Sequence, residues 1–295
     1  MVCRPASSSV TQRRLYFIRL MISFFKILSA LPLWLLHAVG WALGWLVFAV
    51  SAEYRTRFLA NAHQAKVRSR HWRAAVGESG KMTAEMPRLW LGSPAPAQIE
   101  GSEHVQTALA LGKGVLFLTP HLGCFEITAQ AYARQFGSVQ PLTVLFRPPR
   151  QAWLRTILTT ARERPGLLTA PTTLSGVKQM IKALKKGQCV GLLPDQVPPL
   201  GMGHWAPFFG RDAYTMTLSV RLAQQTGATI LLAWGERLSW GRGYRVHFEP
   251  LPLELPSDPD DAVVHLNRVM EGLIARCPGQ YMWGYARYKR PRQES

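Results

Sequence analysis

The sequence predicts an α/β fold, with a mainly parallel central sheet flanked by helices and an N-terminal membrane helix. From about residue 115 onward, short apolar runs bounded by Gly and Pro alternate with amphipathic stretches, which is the pattern of βαβ units. These runs are apolar at nearly every position, as in strands that are buried on both faces of a parallel sheet. The alternating part is preceded by a stretch from Ile27 to Ala52 that contains no Asp, Glu, Lys or Arg.

The N-terminal region is expected to hold the membrane anchor. Residues 1–20 show little apolar pattern and are expected to be disordered, whereas 21–52 include an uncharged stretch longer than the ~20 residues that cross a bilayer. Basic residues flank the stretch on both sides, so the positive-inside rule does not fix its orientation. Pro32 can divide it into two pieces, which leaves a monotopic hairpin open beside a single-pass helix. A cleavable secretory signal is disfavoured, because its apolar core would be about 7–15 residues long.

The rest of the chain, residues 53–295, is expected to form one domain. Its first βα unit is the clearest in the sequence. A buried strand is predicted at 115–118, because this apolar run follows the turn residues Lys113-Gly114 and ends at Thr119-Pro120. A helix is predicted at 125–136, where apolar residues recur at helical spacing after Gly123.

The same alternation continues to the C-terminus. It is preceded by a largely helical region at 53–100, which is interrupted by Ser93-Pro94-Ala95-Pro96. Apolar runs predict further strands at 142–146, 189–193, 229–234 and 244–249. Amphipathic stretches predict helices at 151–163, 175–186, 217–226 and 260–276, and the second of these ends in a lysine run that suits a helix C-terminus.

Composition limits the classes of partner. Lys and Arg number 35 against 17 Asp and Glu, which gives a formal net charge of +18 and a pI near 10.4. Such a chain is expected to meet an acidic partner: nucleic acid, an anionic lipid surface, a phosphorylated substrate or an acidic protein. No nucleic-acid recognition motif supports the first of these. The four cysteines form no CxxC pair, so we expect reduced thiols and neither a disulfide framework nor a structural metal site.

Two reactive side chains follow predicted strands. In open α/β sheets the ligand crevice lies beyond the carboxyl ends of the strands, where His121 and Asp195 fall. Glu126 could accept the proton from one ring nitrogen of His121 and fix its tautomer, leaving the other as a general base. His121 alone could equally be a hydrogen-bonded histidine at a strand end. Because there is no G-x-S-x-G elbow, the hydroxyl to be activated would belong to the substrate, and backbone N–H groups near Gly123 would stabilise the oxyanion.

Four ordered motifs carry a family resemblance. The segments "HLGCFE", "MIKALKKGQCVGLLPDQ", "PFFGRDAYTMT" and "PGQYMWGYARYKRP" occur in the order and spacing of the bacterial lipid A biosynthesis late acyltransferases. The chain resembles these lauroyl and myristoyl transferases, which share an H-x4-[DE] motif with other membrane acyltransferases, over roughly residues 15–292.

The resemblance implies an inner-membrane protein with its α/β domain on the cytoplasmic side. It implies transfer of a fatty acyl chain from acyl carrier protein, as co-substrate, to a hydroxyl of a lipid A precursor, with no further cofactor and no metal. The net charge of +18 suits an acidic carrier protein and a phosphorylated acceptor together. Two alternatives stay open: another acceptor, such as a lysophospholipid, an ornithine lipid or a glycolipid, and a non-catalytic basic binding protein tethered to the membrane.

Carried over by position, the resemblance makes His121 and Glu126 the catalytic pair. Arg162, or Arg164 if the loop is shifted, takes the place of the motif arginine. Asp195 takes the place of the aspartate after the "LP" strand, and these three would bind substrate. The chain departs from the family pattern at "CF" in "HLGCFE", where Asn and Trp are usual, and at "YA" in "WGYARY", where a His-Arg pair is usual. The second departure leaves the identity of the acceptor headgroup open.

Overall fold

The computed structural model describes residues 7–146, 149, 151, 154–155, 158 and 164–293. The predicted helix at 151–163 therefore falls almost entirely outside the described residues, and so does Arg162. Five helices form the N-terminal part: α1 (Ser7–Ala30), α2 (Leu33–Val50), α3 (Ala52–Gln64), α4 (Ser69–Ala84) and α5 (Met86–Leu91). Helix α1 begins at Ser7, whereas the sequence pattern predicts that residues 1–20 are disordered. That prediction is therefore wrong from residue 7 onward.

The uncharged N-terminal stretch is not one continuous helix. Pro32, with φ −65° and ψ 145°, separates α1 from α2, because its ring and missing N–H end a helix that approaches from the N-terminal side. Helix α2 is long and apolar enough to cross a membrane by length and composition alone. Its 18 residues give a length of roughly 27 Å, slightly less than the ~30 Å hydrocarbon core.

Helix α2 packs along its length against α4. The contact is made through glycines: a Cβ at Gly80 would lie 1.9 Å from the carbonyl oxygen of Gly40, and one at Gly44 would lie 2.4 Å from that of Val76. One stripe of α2 is therefore buried from Leu33 to Phe48, while the opposite face exposes large apolar side chains. Those on α2 are Trp34, Val39, Trp41, Leu43, Leu46, Val47 and Val50.

A seven-stranded sheet follows, in the order β1-β9-β8-β2-β5-β3-β4. Its strands are β1 (Ala97–Glu100), β2 (Val115–Leu118), β3 (Leu142–Phe146), β4 (Leu167–Pro171), β5 (Cys189–Leu192), β8 (Thr229–Arg237) and β9 (Tyr244–Pro250). Strands β8, β2, β5, β3 and β4 are mutually parallel, and β9 runs antiparallel to β8 with β1 parallel to β9. The prediction of a mainly parallel sheet flanked by helices is confirmed.

Helices cover both faces of the sheet. They are α6 (Ser102–Ala110), α7 (Phe125–Phe136), α8 (Leu174–Lys185), α9 (Leu218–Thr226) and α10 (Pro259–Arg276). Because side chains alternate along a strand, Leu116 and Leu118 of β2 pack with α8, α9 and α10, whereas Val115 and Phe117 pack with α6 and α7. Two apolar cores result, one on each face, and the carboxyl end of β2 lies between them.

A separate hairpin joins β6 (Gly203–Phe208) to β7 (Arg211–Met216). Its two central turn residues, Phe209 and Gly210, have φ of 49° and 75°, which is the type I′ geometry that matches the twist of a two-residue hairpin. The sequence pattern predicts neither this hairpin nor β1, α6 and β4.

Candidate active site

The bend after β2 is fixed by backbone contacts to β8. Gly123 has φ +59°, and a Cβ there would lie 2.0 Å from the carbonyl oxygen of Gly235, so only glycine fits. The N–H of Gly123 donates to Gln280 O at 3.0 Å, and the N–H of Cys124 donates to Gly235 O at 2.7 Å. The prediction that backbone N–H groups near Gly123 serve as oxyanion donors is therefore wrong for these two, because the fold already uses them.

The bend places His121 against Asp195. The Nδ1 atom of His121 lies 2.7 Å from Oδ1 of Asp195, and the backbone N–H of His121 donates to Oδ2 at 2.9 Å. Asp195 is only 3% exposed. Burial alone would raise its pKa, but the charge and hydrogen bonds of His121 outweigh burial and leave the pKa lower than usual. A carboxylate only accepts hydrogen bonds, so Nδ1 carries a proton, and in the neutral ring Nε2 then carries the lone pair.

Gln196 occupies the other ring nitrogen. Its amide nitrogen lies 2.9 Å from Nε2 of His121 and donates to the lone pair there. In the resting site both ring nitrogens are thus engaged, one with a carboxylate and one with an amide. A hydroxyl that is to give its proton to Nε2 has to take the place of this amide.

Glu126 is not the partner that the sequence predicts for His121. In the part of the chain that the structure describes, the ring nitrogens of His121 bond to Asp195 and Gln196 instead. The reason is the start of α7 at Phe125, whose ring packs on the imidazole with centroids 4.9 Å apart. Glu126 follows in the first turn and lines the cavity described below.

Arg164 braces the helices beside that cavity. Its guanidinium donates to Leu89 O at 2.7 Å, to Trp90 O at 3.0 Å and to Gln130 Oε1 at 3.1 Å, which ties α5 to α7. Burial, together with the charge of Arg134, lowers the pKa of Arg164, and the charge of Glu126 opposes this shift. Arg164 thus holds Trp90 and Gln130, which line the cavity, whereas Arg162 lies outside the described residues.

An apolar cavity opens beside His121, between α7 and the sheet. The space between its walls is about 760 Å³ when the open mouth is included. Thr119, Phe125 and Glu126 line it next to the bend. Its walls are otherwise mostly apolar and come from six strands and α7; they include Phe117, Leu142, Val144, Leu145, Leu167, Gly191, Ala233 and Phe248.

The C-terminal segment 278–288 closes the site from the other side. The Tyr281 hydroxyl donates to Oδ2 of Asp195 at 3.2 Å, and the Tyr285 hydroxyl accepts from the N–H of Val197 at 2.9 Å. The side chain of Asn61, on α3, donates to the carbonyl oxygens of Trp283 and Tyr285. Gln196 and Tyr281 lie in two of the family motifs, "MIKALKKGQCVGLLPDQ" and "PGQYMWGYARYKRP". The sequence predicts no role for either residue, because only the fold brings them to His121 and Asp195.

Comparisons with known proteins identify the family. The family model described as bacterial lipid A biosynthesis acyltransferase matches residues 5–290. The chain is similar to a lipid A biosynthesis palmitoleoyltransferase of Escherichia coli K12, with 29% identity over 67% of this chain and 63% of the relative. It is also similar to the lipid A biosynthesis lauroyltransferase of the same strain, with 31% identity over 65% of this chain and 61% of the relative. The aligned part thus spans less than two thirds of either relative. Because the family model matches nearly every residue, the chain belongs to the bacterial lipid A biosynthesis acyltransferase family.

Proposed function

We propose that this protein transfers a fatty acyl chain from the thioester of acyl carrier protein to a hydroxyl of a lipid A precursor. The observation that carries the proposal is His121, held by Asp195 in the tautomer of a general base and packed against Phe125, which lines an apolar cavity. The related transferases from Escherichia coli, which are named for palmitoleoyl and lauroyl transfer in lipid A biosynthesis, support the choice of reaction and acceptor.

His121 supplies the base for the chemical step. The acceptor hydroxyl displaces the amide of Gln196 and donates to Nε2, which takes the proton as the oxygen attacks the thioester carbonyl. The carbonyl oxygen becomes an oxyanion, the carbon–sulfur bond then breaks, and the imidazolium returns its proton to the leaving thiolate. Asp195 stabilises the transient imidazolium and holds the ring. Positioned general-base catalysis of this kind contributes about 10²–10⁴ in rate.

Gln196 is the proposed donor to the oxyanion. Its amide rests 2.9 Å from Nε2 of His121, so a small rotation after displacement leaves it beside the reacting atoms. The backbone N–H groups of Gly123 and Cys124 are engaged elsewhere, so they do not compete with this side chain for the role. A preorganised donor at such a position is worth about 10²–10³ in kcat.

The acyl chain occupies the apolar cavity. Thr119, Phe125 and Glu126 mark the end next to His121, and Phe117, Leu142 and Phe248 mark the walls that meet the chain. The carboxylate of Glu126 lies at the reacting end of the cavity, where it would act on the substrate and on Arg164 rather than on the imidazole. Arg162 remains a candidate for binding an acceptor phosphate.

Membrane attachment is the second part of the proposal. The exposed side chains Trp34, Trp41, Leu43 and Leu46 on α2, together with Trp240, which is 88% exposed, form what we call the membrane face. Helix α4, which packs along α2, carries Arg70, Arg73, Glu78 and Lys81. A membrane-crossing α2 would draw these charges toward hydrocarbon, at a cost of several kcal/mol. We therefore propose that α2 lies in the plane of the inner membrane, on its cytoplasmic side, with the membrane face in the lipid.

The test is acyl transfer by purified full-length protein. Acyl-acyl carrier protein and a lipid A precursor with a free hydroxyl are supplied in mixed micelles, and the product is identified by mass spectrometry. We expect His121→Ala to lower kcat by at least about 10² without changing the melting temperature by more than a few degrees.

The control is Cys124→Ser, which changes a buried thiol in the same bend that has no part in the proposed mechanism. It should retain most of the activity. Transfer to a lysophospholipid but not to the lipid A precursor would move the acceptor to the alternative class, and full activity of His121→Ala would remove the proposed base.

A further inference from the structure

A buried ionic cluster lies behind the catalytic bend. Glu85 is 0% exposed and Arg237 is 4% exposed. The guanidinium of Arg237 binds Glu85 with two parallel bonds, Nε to Oε2 at 2.8 Å and Nη2 to Oε1 at 2.6 Å, and its Nη1 donates to Glu78 at 2.6 Å. Such bidentate pairing fixes the plane of the guanidinium.

The cluster reaches the membrane face through α2. Nε2 of His37, on α2, lies 2.9 Å from Oε2 of Glu85, and the Tyr244 hydroxyl donates to the same oxygen at 2.8 Å. His37 is on the buried stripe of α2, opposite the exposed apolar side chains. The rotation and depth of α2 are thus tied to the position of the Glu85 carboxylate.

The cluster also reaches the bend that carries His121. Nη2 of Arg237 donates to the carbonyl oxygen of Gly123 at 3.2 Å. The backbone N–H and carbonyl of Arg237 bond to the side chain of Gln280 at 2.8 and 2.9 Å, and the carbonyl of Gln280 accepts from the N–H of Gly123. Arg237 therefore holds the carbonyl of Gly123, and Gln280, which is itself bonded to Arg237, holds the N–H of Gly123.

Stability alone does not account for this arrangement. Replacing a buried ion pair by well-packed apolar side chains is often neutral or stabilising, because burying the two charges is costly. What the charges supply here is fixed geometry at Gly123, two residues from the proposed base. Misplacing reacting groups by about 1 Å is enough to cost about 10² in rate.

We propose that Arg237 is a positioning residue for acyl transfer, and that the chain His37–Glu85–Arg237–Gly123 couples the seating of α2 on the membrane to the geometry of His121. The proposal rests on the proposed function, since it assigns His121 the role of base. The cluster touches no substrate. It acts by holding the bend, and through His37 it makes that hold depend on α2.

The experiment compares full-length variants on vesicles of phosphatidylethanolamine and phosphatidylglycerol. Arg237→Lys keeps the charge but loses the bidentate fork and the bond to Gly123, so we expect kcat to fall about 10²-fold while KM for both substrates stays within about twofold. His37→Ala should lower kcat about tenfold, and His37→Gln, whose amide can donate to Glu85, should restore it to within about threefold.

The matched control is Arg55→Gln. Arg55 donates to the carbonyl oxygens of Phe48 and Ala49 at the other end of α2, so its loss loosens the same helix away from the cluster. Amide hydrogen exchange supplies a second measurement: the N–H of Gly123 should exchange faster in Arg237→Lys and His37→Ala, and at the wild-type rate in Arg55→Gln.

A folded Arg237→Lys protein with wild-type kcat and wild-type exchange at Gly123 would overturn the proposal. So would an equal loss of kcat in Arg55→Gln and His37→Ala, because any loosening of α2 would then be sufficient. If Arg237→Lys does not fold, the two His37 variants decide the question. If the wild-type protein transfers no acyl chain, the proposed function fails, and the exchange rate at Gly123 still tests whether the cluster holds the bend.

Discussion

At the scale of single residues, the site differs from the sequence expectation in one partner. His121 and Asp195 follow neighbouring parallel strands, so their meeting follows from the strand-end rule. Their mutual bond could not be read from spacing, because it depends on how far each chain turns after its strand. Spacing favoured Glu126, which the start of α7 instead directs to the cavity. Arg237 and Glu85 carried no motif, since only the packing of α2, α4, β8 and β9 brings their cluster together.

Asp195 gives the first residue-scale prediction. Asp195→Asn removes the charge that stabilises the imidazolium and allows the wrong ring tautomer, so kcat should fall by about 10³–10⁴, as in other histidine bases that lose their carboxylate. The kcat of Glu126→Gln should fall less, by about tenfold, because the ring nitrogens of His121 bond to Asp195 and Gln196 instead of Glu126. Steady-state kinetics of both variants under the same conditions makes the comparison. A larger loss of kcat in Glu126→Gln than in Asp195→Asn would instead indicate that Glu126 orients the imidazole.

At the scale of secondary-structure elements, the strands that form the floor of the site were the most predictable part of the fold. Strand β2, helix α7 and strand β3 begin and end where the sequence places them, because each apolar run is bounded by Gly or Pro. The β6–β7 hairpin was missed because its turn, Phe209-Gly210, requires a left-handed backbone at an aromatic residue. Strand β1 was missed because it is a short edge strand whose residues are only partly buried.

Strand β5 is expected to set the length of the acyl chain. Gly191 lines the cavity, and a Cβ there would meet only side-chain atoms of Val144 and Leu142, at 3.3 and 3.6 Å. Gly191→Val should therefore leave the fold intact and shift the preference toward shorter donors, by about tenfold or more, since one methylene is worth 10–200-fold in an apolar pocket. Competition between donors of different length measures the shift. Gly272→Ala on α10, where a Cβ meets nothing within 4 Å, should leave the preference unchanged.

Helix α2 is expected to bind lipid with one face. Leu43→Asp should weaken binding to neutral phosphatidylcholine vesicles by at least tenfold, because burial of a Leu side chain is worth about 1.5–3 kcal/mol. Leu111→Asp changes a leucine at the end of α6 that is 55% exposed, against 48% for Leu43, and this variant should bind as the wild type does. Vesicle sedimentation measures the binding of both variants.

The topology of α2 can be tested with reporters fused to the two ends of the chain. A reporter fused before residue 1 should remain on the same side of the membrane as one fused after the C-terminus. Reporters on opposite sides would show that α2 crosses the membrane.

At the scale of the whole molecule, charge and surface are divided between two tasks. The net charge of +18 is spread over the chain, whereas the membrane face on α2 is uncharged. In the proposed function, a basic domain held at a lipid surface would attract both an acidic carrier protein from solution and phosphorylated lipids in the membrane plane. The composition predicted acidic partners but could not say where they meet the chain, because that depends on the folded surface.

The dependence of KM on ionic strength should differ between two acyl donors, acyl carrier protein and coenzyme A. As the proposed donor, acyl carrier protein would approach through water, so its apparent KM should rise several-fold between about 0.05 and 0.3 M salt, as the screening length falls below about 10 Å. The same acyl chain on coenzyme A, which is a much smaller partner, should show a weaker dependence. Initial rates at fixed acceptor concentration measure both donors. A salt-independent KM for acyl carrier protein would argue against charge-guided docking of the donor.

The position of segment 278–288 has a consequence for the newborn protein. The residues that seat Asp195 and the Gly123 bend, Tyr281 and Gln280, leave the ribosome after α2 and the entire sheet. The proposed attachment of the N-terminal helices to lipid could therefore begin during translation, before Asp195 and the Gly123 bend have all their partners. Because the contacts that complete the proposed base are the last to be synthesised, the proposed acyl transfer would begin only after the N-terminal helices are complete.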